Sequence, residues 1–319
     1  MKGLQLAGSL MSRYFAIIVI FVSVIAFFTP DAFVWIAPYI TILLGVIMFG
    51  MGTTMRPEDF KIVLQKPFPV LFGVVAQFVI MPLAALGIAY AMQLPPELAA
   101  GLVLVGACPG GTASNVMVYL SRGDVPVSVA MTSVSTMLAP VLTPLAVFLL
   151  ADQWLPVGFA DMFMSIVQVI IIPIALGLLV SKLLPEAVDK AQSALPIVSV
   201  TAILLIVAAV ISGNTENLVT SGIAVFTAVI LHNSFGLLLG YFTAKSVGLD
   251  ETKRRAISIE VGMQNSGLGA ALATAHFTPM AALPSAIFSV WHNISGPALV
   301  SFWNKGGSEE INGNVKDKS

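Results

Sequence analysis

The sequence predicts an all-α membrane protein of ten transmembrane helices, arranged as two inverted five-helix repeats. Three observations carry this reading. Of 319 residues, 57% are hydrophobic and 10% charged, and the mean hydropathy is +0.95, against about 25% charged residues in an ordinary soluble domain. The apolar residues fall in runs long enough to cross a bilayer, which takes roughly 20 residues as a helix. Basic residues are confined to alternate loops. This composition excludes a soluble enzyme, a disordered chain and a nucleic-acid binder, and the net charge of −1 offers no polyanion-binding surface. The single cysteine, Cys108, excludes an intramolecular disulfide and a cysteine metal cage.

The runs, broken by polar or Pro/Gly turns, predict spans at 14–29, 33–53, 68–93, 97–121, 125–151, 161–182, 194–212, 218–247, 252–276 and 280–304. The first ends in Phe27-Phe28-Thr29-Pro30, with no small-residue cleavage site, so it reads as a retained helix rather than a secretion signal. All fifteen Lys and Arg fall at the N-terminus, at the C-terminus, or near the loops after spans two, four, six and eight. Cytoplasmic loops carry the positive excess, so both termini are predicted to be cytoplasmic. Residues 56–66 mix charge with Phe60, Ile62, Val63 and Leu64, the pattern of a short interfacial helix or of a plain loop. Residues 305–319 read as a solvated cytoplasmic tail.

Five spans per half place the second half upside down relative to the first. A faint internal match supports a repeat: Ser128 to Leu142 in span five aligns with Ser285 to Leu299 in span ten at an offset of 157. In the preceding spans, Gly110 to Asn115 aligns with Val261 to Ser266.

Span four carries Cys108-Pro109-Gly110-Gly111-Thr112, and span nine carries Glu260-Val-Gly-Met-Gln-Asn-Ser-Gly267. Pro removes a helix hydrogen bond and Gly eases unwinding. Two such stretches at corresponding places in two halves point to a site built from discontinuous helices. Glu260 is the one acid well inside a span, and no Lys or Arg lies at its depth. A buried carboxylate needs a cation or hydrogen-bond donors. Ser128, Thr132 and Ser135 share one face of span five at i, i+4 and i+7. That hydroxyl face, with Ser114 and Asn115, predicts a cation site: a proton or Na⁺, the supply of neutral oxygens favouring Na⁺. Gln77 in span three and His232-Asn233 in span eight read, on the residues alone, as helix-to-helix hydrogen-bond partners.

These motifs resemble the bile acid:sodium symporter family. The resemblance rests on Gly111-Thr-Ala-Ser-Asn-Val-Met117, the run from Ser128 to Ser135, Glu260-Val-Gly-Met-Gln-Asn-Ser-Gly267 and Phe288-Ser-Val-Trp-His-Asn-Ile-Ser-Gly296. It covers residues 14–304 and is nearest to bacterial homologues of the apical sodium-dependent bile acid transporter. It implies a panel domain (14–53 and 161–212) and a core domain (68–151 and 218–304), with spans four and nine crossing where each is broken. It implies two coupling Na⁺ ions and no other cofactor. The first would sit at Ser114, Asn115, Ser128, Thr132 and Glu260. The second would sit at Gln77 and Gln264, with backbone oxygens of Glu260, Val261 and Met263. Substrate would lie against Thr112, Asn265, His292 and Asn293.

The resulting expectation is a sodium-coupled symporter of a small organic anion, working by alternating access in a bacterial inner membrane. The anion would be a bile salt or a pantoate-like hydroxy or keto acid. The expected partners are this anion, sodium and membrane lipid, with no nucleic acid and no obligate protein partner. Proton coupling is the alternative; a channel, a membrane enzyme and a sensor are the other classes. No zinc-protease, nucleophile-elbow or phosphate-loop motif is present, so the chain is not expected to be an enzyme.

Overall fold

The computed structural model describes residues 8, 10, 11 and 14–316, with the backbone alone at 57, 59, 60 and 305–316. Lys2, Arg13 and Lys318, which enter the charge argument, lie outside the described residues. The described chain is helical, its only bridge an isolated antiparallel one between Gly110 and Gln264.

The first half comprises α1 Phe15–Phe28, α2 Ile40–Thr54 after two short 3₁₀ turns, α3 Pro57–Gln65, α4 Pro67–Ala91, α5 Pro96–Gly106, α6 Ala113–Leu120 and α7 Val125–Ala151. The second comprises α8 Phe159–Ile166, α9 Ile172–Leu183, α10 Pro185–Ala191, α11 Leu195–Ser212, α12 Thr215–Ser246, α13 Glu251–Gly262, α14 Ser266–His276 and α15 Leu283–Lys316. A π-helical turn at Val167–Ile171 joins α8 to α9. It ends two residues before Pro173, whose missing N–H breaks the regular ladder there.

Six helical segments among the described residues are long and apolar enough to cross a membrane: Pro30–Thr54, Pro67–Ala91, Val125–Ala151, Phe159–Leu183, Leu195–Ser212 and Thr215–Ser246. The protein is therefore a multi-pass membrane protein. The other four predicted spans fall short of that test for visible reasons. The helix of span one has 14 residues. Spans four and nine are each split by a break, between α5 and α6 and between α13 and α14. The apolar stretch of span ten is interrupted by Ser289, His292, Asn293 and Pro297, and its helix continues into polar sequence. That continuation departs from the sequence reading: the backbone stays helical to Lys316, through most of the segment assigned to a solvated tail. No proline follows Pro297 to end it. The 56–66 segment folds as the helix α3, one of its two readings, rather than as a plain loop.

Two sets of helices pack most closely among themselves, and α7 on α8 and α15 on α1 and α11 join the sets. α1 lies on α11, burying Phe15, Val19 and Ala26 against Val200, Leu204, Val207 and Ala208. α2 packs on α9 and α11. Gly52 and Gly177 bring α2 and α9 together backbone to backbone: a Cβ on Gly52 would stand 2.3 Å from the Ile174 carbonyl, and one on Gly177 2.3 Å from that of Phe49. Small residues at such a contact are how helices approach closely where lipid gives no hydrophobic drive. The second group is α4, α5, α7, α12 and α13, with α4 central to it. At the end bearing the basic loops, Lys66 pairs with Asp124 at 2.7 Å, and Asp124 caps α7 through Val127 N–H.

Candidate functional site: two broken helices and a buried carboxylate

α5 stops at Gly106 because Pro109 cannot donate and two glycines follow it. α13 stops at Gly262. The two unwound segments run antiparallel and close on each other. Gly111 N–H donates to the Met263 carbonyl at 2.8 Å, and Asn265 N–H donates to the Pro109 carbonyl at 2.8 Å. This pair of bonds has a local two-fold that places Pro109-Gly110-Gly111 on Met263-Gln264-Asn265, an offset of 154 residues read from Gly110 and Gln264. The sequence alignment of these segments, Gly110 to Asn115 on Val261 to Ser266, is thus displaced by three residues. It matched small and polar residues, whereas the pairing follows the positions of the breaks.

A crossing of this kind leaves helix-end carbonyls without partners in a place that water does not reach freely. Side chains from neighbouring helices supply donors. Gln77 Nε2 of α4 donates to the Cys108 carbonyl at 3.1 Å, and Thr143 of α7 to the Ala107 carbonyl at 2.8 Å. In the other half, Asn233 Nδ2 of α12 donates to the Gly262 carbonyl at 2.8 Å. His232 Nε2 bonds the Met81 carbonyl at 2.9 Å. His232 and Asn233 therefore do what a lone histidine and amide were read to do, joining helices. Thr143 was missed: a threonine near a helix proline gives no signal of a cap 36 residues away.

Gly110 and Gly111 are required by proximity. A Cβ on Gly110 would come 2.7 Å from Glu260 Oε2, and one on Gly111 2.7 Å from the Gln264 carbonyl. The Glu260 carboxylate is 1% exposed and sits in a ring of oxygens. Ser114 Oγ lies 2.5 Å from Oε1, Thr132 Oγ1 lies 2.8 Å from Oε2, and Ser128 Oγ also contacts Oε1. Each hydroxyl has a second acceptor within reach: the Gly111 carbonyl 2.6 Å from Ser114, the Ser128 carbonyl 3.1 Å from Thr132, and Asn115 Oδ1 2.8 Å from Ser128. A hydroxyl carries one proton. Three protons therefore serve six acceptor contacts, and the cluster is electron-rich. All five residues predicted for the first cation site meet here. Ser135, on the same predicted face, does not: its hydroxyl bonds back to the Thr132 carbonyl at 3.2 Å.

Of the second predicted set, Gln77 and Gln264 meet directly, Nε2 to Oε1 at 2.7 Å. Gln77 Oε1 is buried without a partner. The Val261 carbonyl accepts from Gln264 Nε2 at 2.8 Å and the Met263 carbonyl from Gly111.

Two adjacent cavities lie between α2 and α11 on one side and the crossing on the other. The inner one, about 340 Å³, is lined by Thr112, Asn265, His292 and Asn293, the whole predicted substrate set, with Leu44 and Ile203 opposite. The first residues of α6 and α14 also line it, so two helix N-termini with their partial positive charge face this space. The outer one, about 700 Å³, shares Ile47, Thr112, Pro196 and Ser199 with it and reaches Asn115 and Thr132 of the oxygen cluster.

Residues 41–221 match the family model described as the sodium bile acid symporter family. A Bacillus subtilis protein, named as the uncharacterised sodium-dependent transporter YocS, is 55% identical over 291 residues, which are 91% of each chain. The chain belongs to the sodium bile acid symporter family. It is also 36% identical over 312 residues to an Arabidopsis thaliana protein named as the probable chloroplastic sodium/metabolite cotransporter BASS1, covering 97% of this chain and 78% of the relative. A rice protein named as the corresponding BASS2 is 38% identical over 300 residues, 93% and 72% of the two chains. As a sodium bile acid symporter family member the chain is a transport protein rather than an enzyme.

Proposed function

We propose that this chain is a secondary symporter that couples the entry of Na⁺ to that of a small organic anion by alternating access. The observation that carries the reading is the Glu260 cluster. It offers one carboxylate, three hydroxyls, an amide oxygen and backbone carbonyls, with fewer protons than acceptors. A proton on Glu260 would add one donor and still leave acceptors facing each other. A hard cation is bound by oxygens of these kinds. The first Na⁺ is assigned to Ser114, Asn115, Ser128, Thr132 and Glu260. The second is assigned to Gln77, Gln264 and the backbone oxygens of Glu260, Val261 and Met263, an assignment supported by the partnerless Gln77 Oε1. The relatives' names, sodium-dependent transporter and sodium/metabolite cotransporter, support the same ion.

The cargo is assigned to the inner cavity, against Thr112, Asn265, His292 and Asn293. The helix N-termini there favour an anionic group, and the apolar wall suits a carbon skeleton. A pantoate-like hydroxy or keto acid and a bile salt both fit this description. The arrangement proposed is ten spans in two inverted repeats, with both termini in the cytoplasm of a bacterial inner membrane. The panel is the α1, α2, α8, α9 and α11 group, and the core is the remainder of the spans. Na⁺ bound at the crossing would fix the unwound segments whose N-termini receive the anion, so that each ligand favours the other. Two Na⁺ per monoanion make the cycle electrogenic.

The test is uptake of labelled pantoate and taurocholate into proteoliposomes under an inward Na⁺ gradient against a matched K⁺ gradient. Na⁺-dependent accumulation of either is the expected result. Equal uptake in both salts overturns sodium coupling and turns the reading to protons.

A further inference from the structure

Two asparagines line the inner cavity, and each has one end of its amide committed to the protein. Asn265 Oδ1 accepts from the Leu268 N–H at 3.1 Å, capping α14. Asn293 Nδ2 donates to the Ser289 carbonyl at 2.7 Å, one turn back along α15. An amide has an accepting oxygen and a donating nitrogen, so the partner of one end fixes what the other end offers. The N–H partner leaves the donors of Asn265 uncommitted. The carbonyl partner leaves the oxygen of Asn293 uncommitted. Turning either amide over would set donor against donor or acceptor against acceptor. The Ser266 and Ser289 hydroxyls, 2.7 Å apart, tie the start of α14 to this stretch of α15. Of the first four N–H groups of α14, that of Ser266 goes to the Gln264 carbonyl, that of Leu268 to Asn265 Oδ1 and that of Gly269 to the Asn265 carbonyl. This leaves the N–H of Gly267, a residue also on the cavity wall.

We propose that Asn293 is a specificity-determining residue, through which the inner cavity selects organic anions with a hydroxyl beside the carboxylate over keto acids of the same skeleton. The inference rests on the symport reading for the place of the cargo, and it decides between two cargo classes which that reading leaves open. The carboxylate of the cargo accepts from Asn265 Nδ2 and from the Gly267 N–H. The neighbouring hydroxyl donates to Asn293 Oδ1. A keto oxygen in that place carries no proton, so it sets acceptor against acceptor and leaves Asn293 unpaired. A site built to pair a hydroxyl rejects the analogue that lacks one, because its own polar group is then stranded. The Thr112 hydroxyl can rotate and the His292 ring can change tautomer. Each can therefore donate or accept, and neither decides between the two acids.

The experiment measures binding of pantoate, a 2-hydroxy acid, and of its 2-keto analogue to the purified full-length chain in detergent, by calorimetry with saturating Na⁺ and again in K⁺. Pantoate should bind about three- to tenfold more tightly than the keto acid. Asn293→Ala should weaken pantoate and spare the keto acid, bringing the ratio close to one. Asn265→Ala should weaken both acids alike and keep the ratio, since it removes a donor to the carboxylate that they share. The wild-type ratio needs no variant to fold. Equal affinities in the wild type, tighter binding of the keto acid, or a preference that survives Asn293→Ala overturns the selection and leaves the anion site standing. No binding of either acid in Na⁺ overturns the cargo assignment and the selection with it. Binding that is indifferent to Na⁺ but keeps the ratio supports the selection and overturns sodium coupling instead.

Discussion

The side-chain amide of Gln77 reaches across the molecule to that of Gln264, 187 positions later, at a distance of 2.7 Å. The same nitrogen lies 3.1 Å from the Cys108 carbonyl. One buried amide thus holds a helix of the first half to both broken helices at once. Gln77→Ala removes both bonds and strands two buried acceptors, which costs about 1–3 kcal/mol. The expected outcome is a lowered midpoint of thermal unfolding in detergent, with sodium-driven uptake lost. Gln77→Glu, which keeps the length and adds a charge, should tighten ion binding if this corner holds the second Na⁺.

Glu260→Gln keeps the shape of the carboxylate and removes its charge. Sodium should then no longer raise the unfolding temperature of the purified protein, because a ligand stabilises only the state that binds it. The protein without sodium should be as stable as the wild type or more so, since a buried charge has gone. A sodium-induced shift that persists in this variant would remove Glu260 from the ion site.

Thr132→Val is near-isosteric and deletes one hydroxyl against Glu260 Oε2. A hydrogen bond to a charged group is worth about 1.5–3 kcal/mol, so the sodium concentration for half-maximal uptake should rise roughly tenfold or more. Ser135→Ala, one turn along the same face, should leave that concentration unchanged, because its hydroxyl meets only its own helix. Titration of sodium-dependent uptake for the pair separates the site from the helix face.

Asn233→Leu uncaps the Gly262 carbonyl and is expected to cost about 1–3 kcal/mol. Thr143→Val should do the same at the Ala107 carbonyl. Both losses are expected in thermal unfolding without sodium, which distinguishes caps of the crossing from ligands of the ion.

Asp250 caps α13 through Lys253 N–H. The Lys253 side chain, followed by the Thr252 hydroxyl, holds its carboxyl below the usual carboxylate range. A carboxylate with a depressed folded value stabilises the fold above its unfolded pKa of about 3.9 and loses that contribution as the pH falls through the folded value. Asp250→Ala should therefore cost about 1 kcal/mol near neutrality. Its unfolding midpoint should converge on that of the wild type in acid.

Much of this molecule was legible from local sequence because the bilayer restricts the chain to helices, and Pro109, Gly110 and Gly111 announce a break wherever they fall. Glu260 announced a site because a lone acid at depth demands partners, and Ser128 and Thr132 were found as hydroxyls at helical spacing. The caps were not legible. Thr143, Asn233 and Gln77 each act on a carbonyl of another helix, and nothing in their own neighbourhood records which one. The bridge that pairs Gly110 with Gln264 was not legible either, because the backbone makes it and residue identity does not record it. The helical backbone at the end of α15 was not legible because polar composition alone does not stop a helix that meets no proline.

The two-fold at the crossing carries Glu260 onto Gly106 when the same offset is followed back along each helix. A side chain there is precluded, since a Cβ on Gly106 would stand 2.8 Å from the Met81 carbonyl. The backbone is thus two-fold at the bridge while the charge beside it is not. In the alternating-access cycle proposed above, two poses of similar energy would need little ligand free energy to choose between them, and loading or emptying the lone carboxylate would supply the bias.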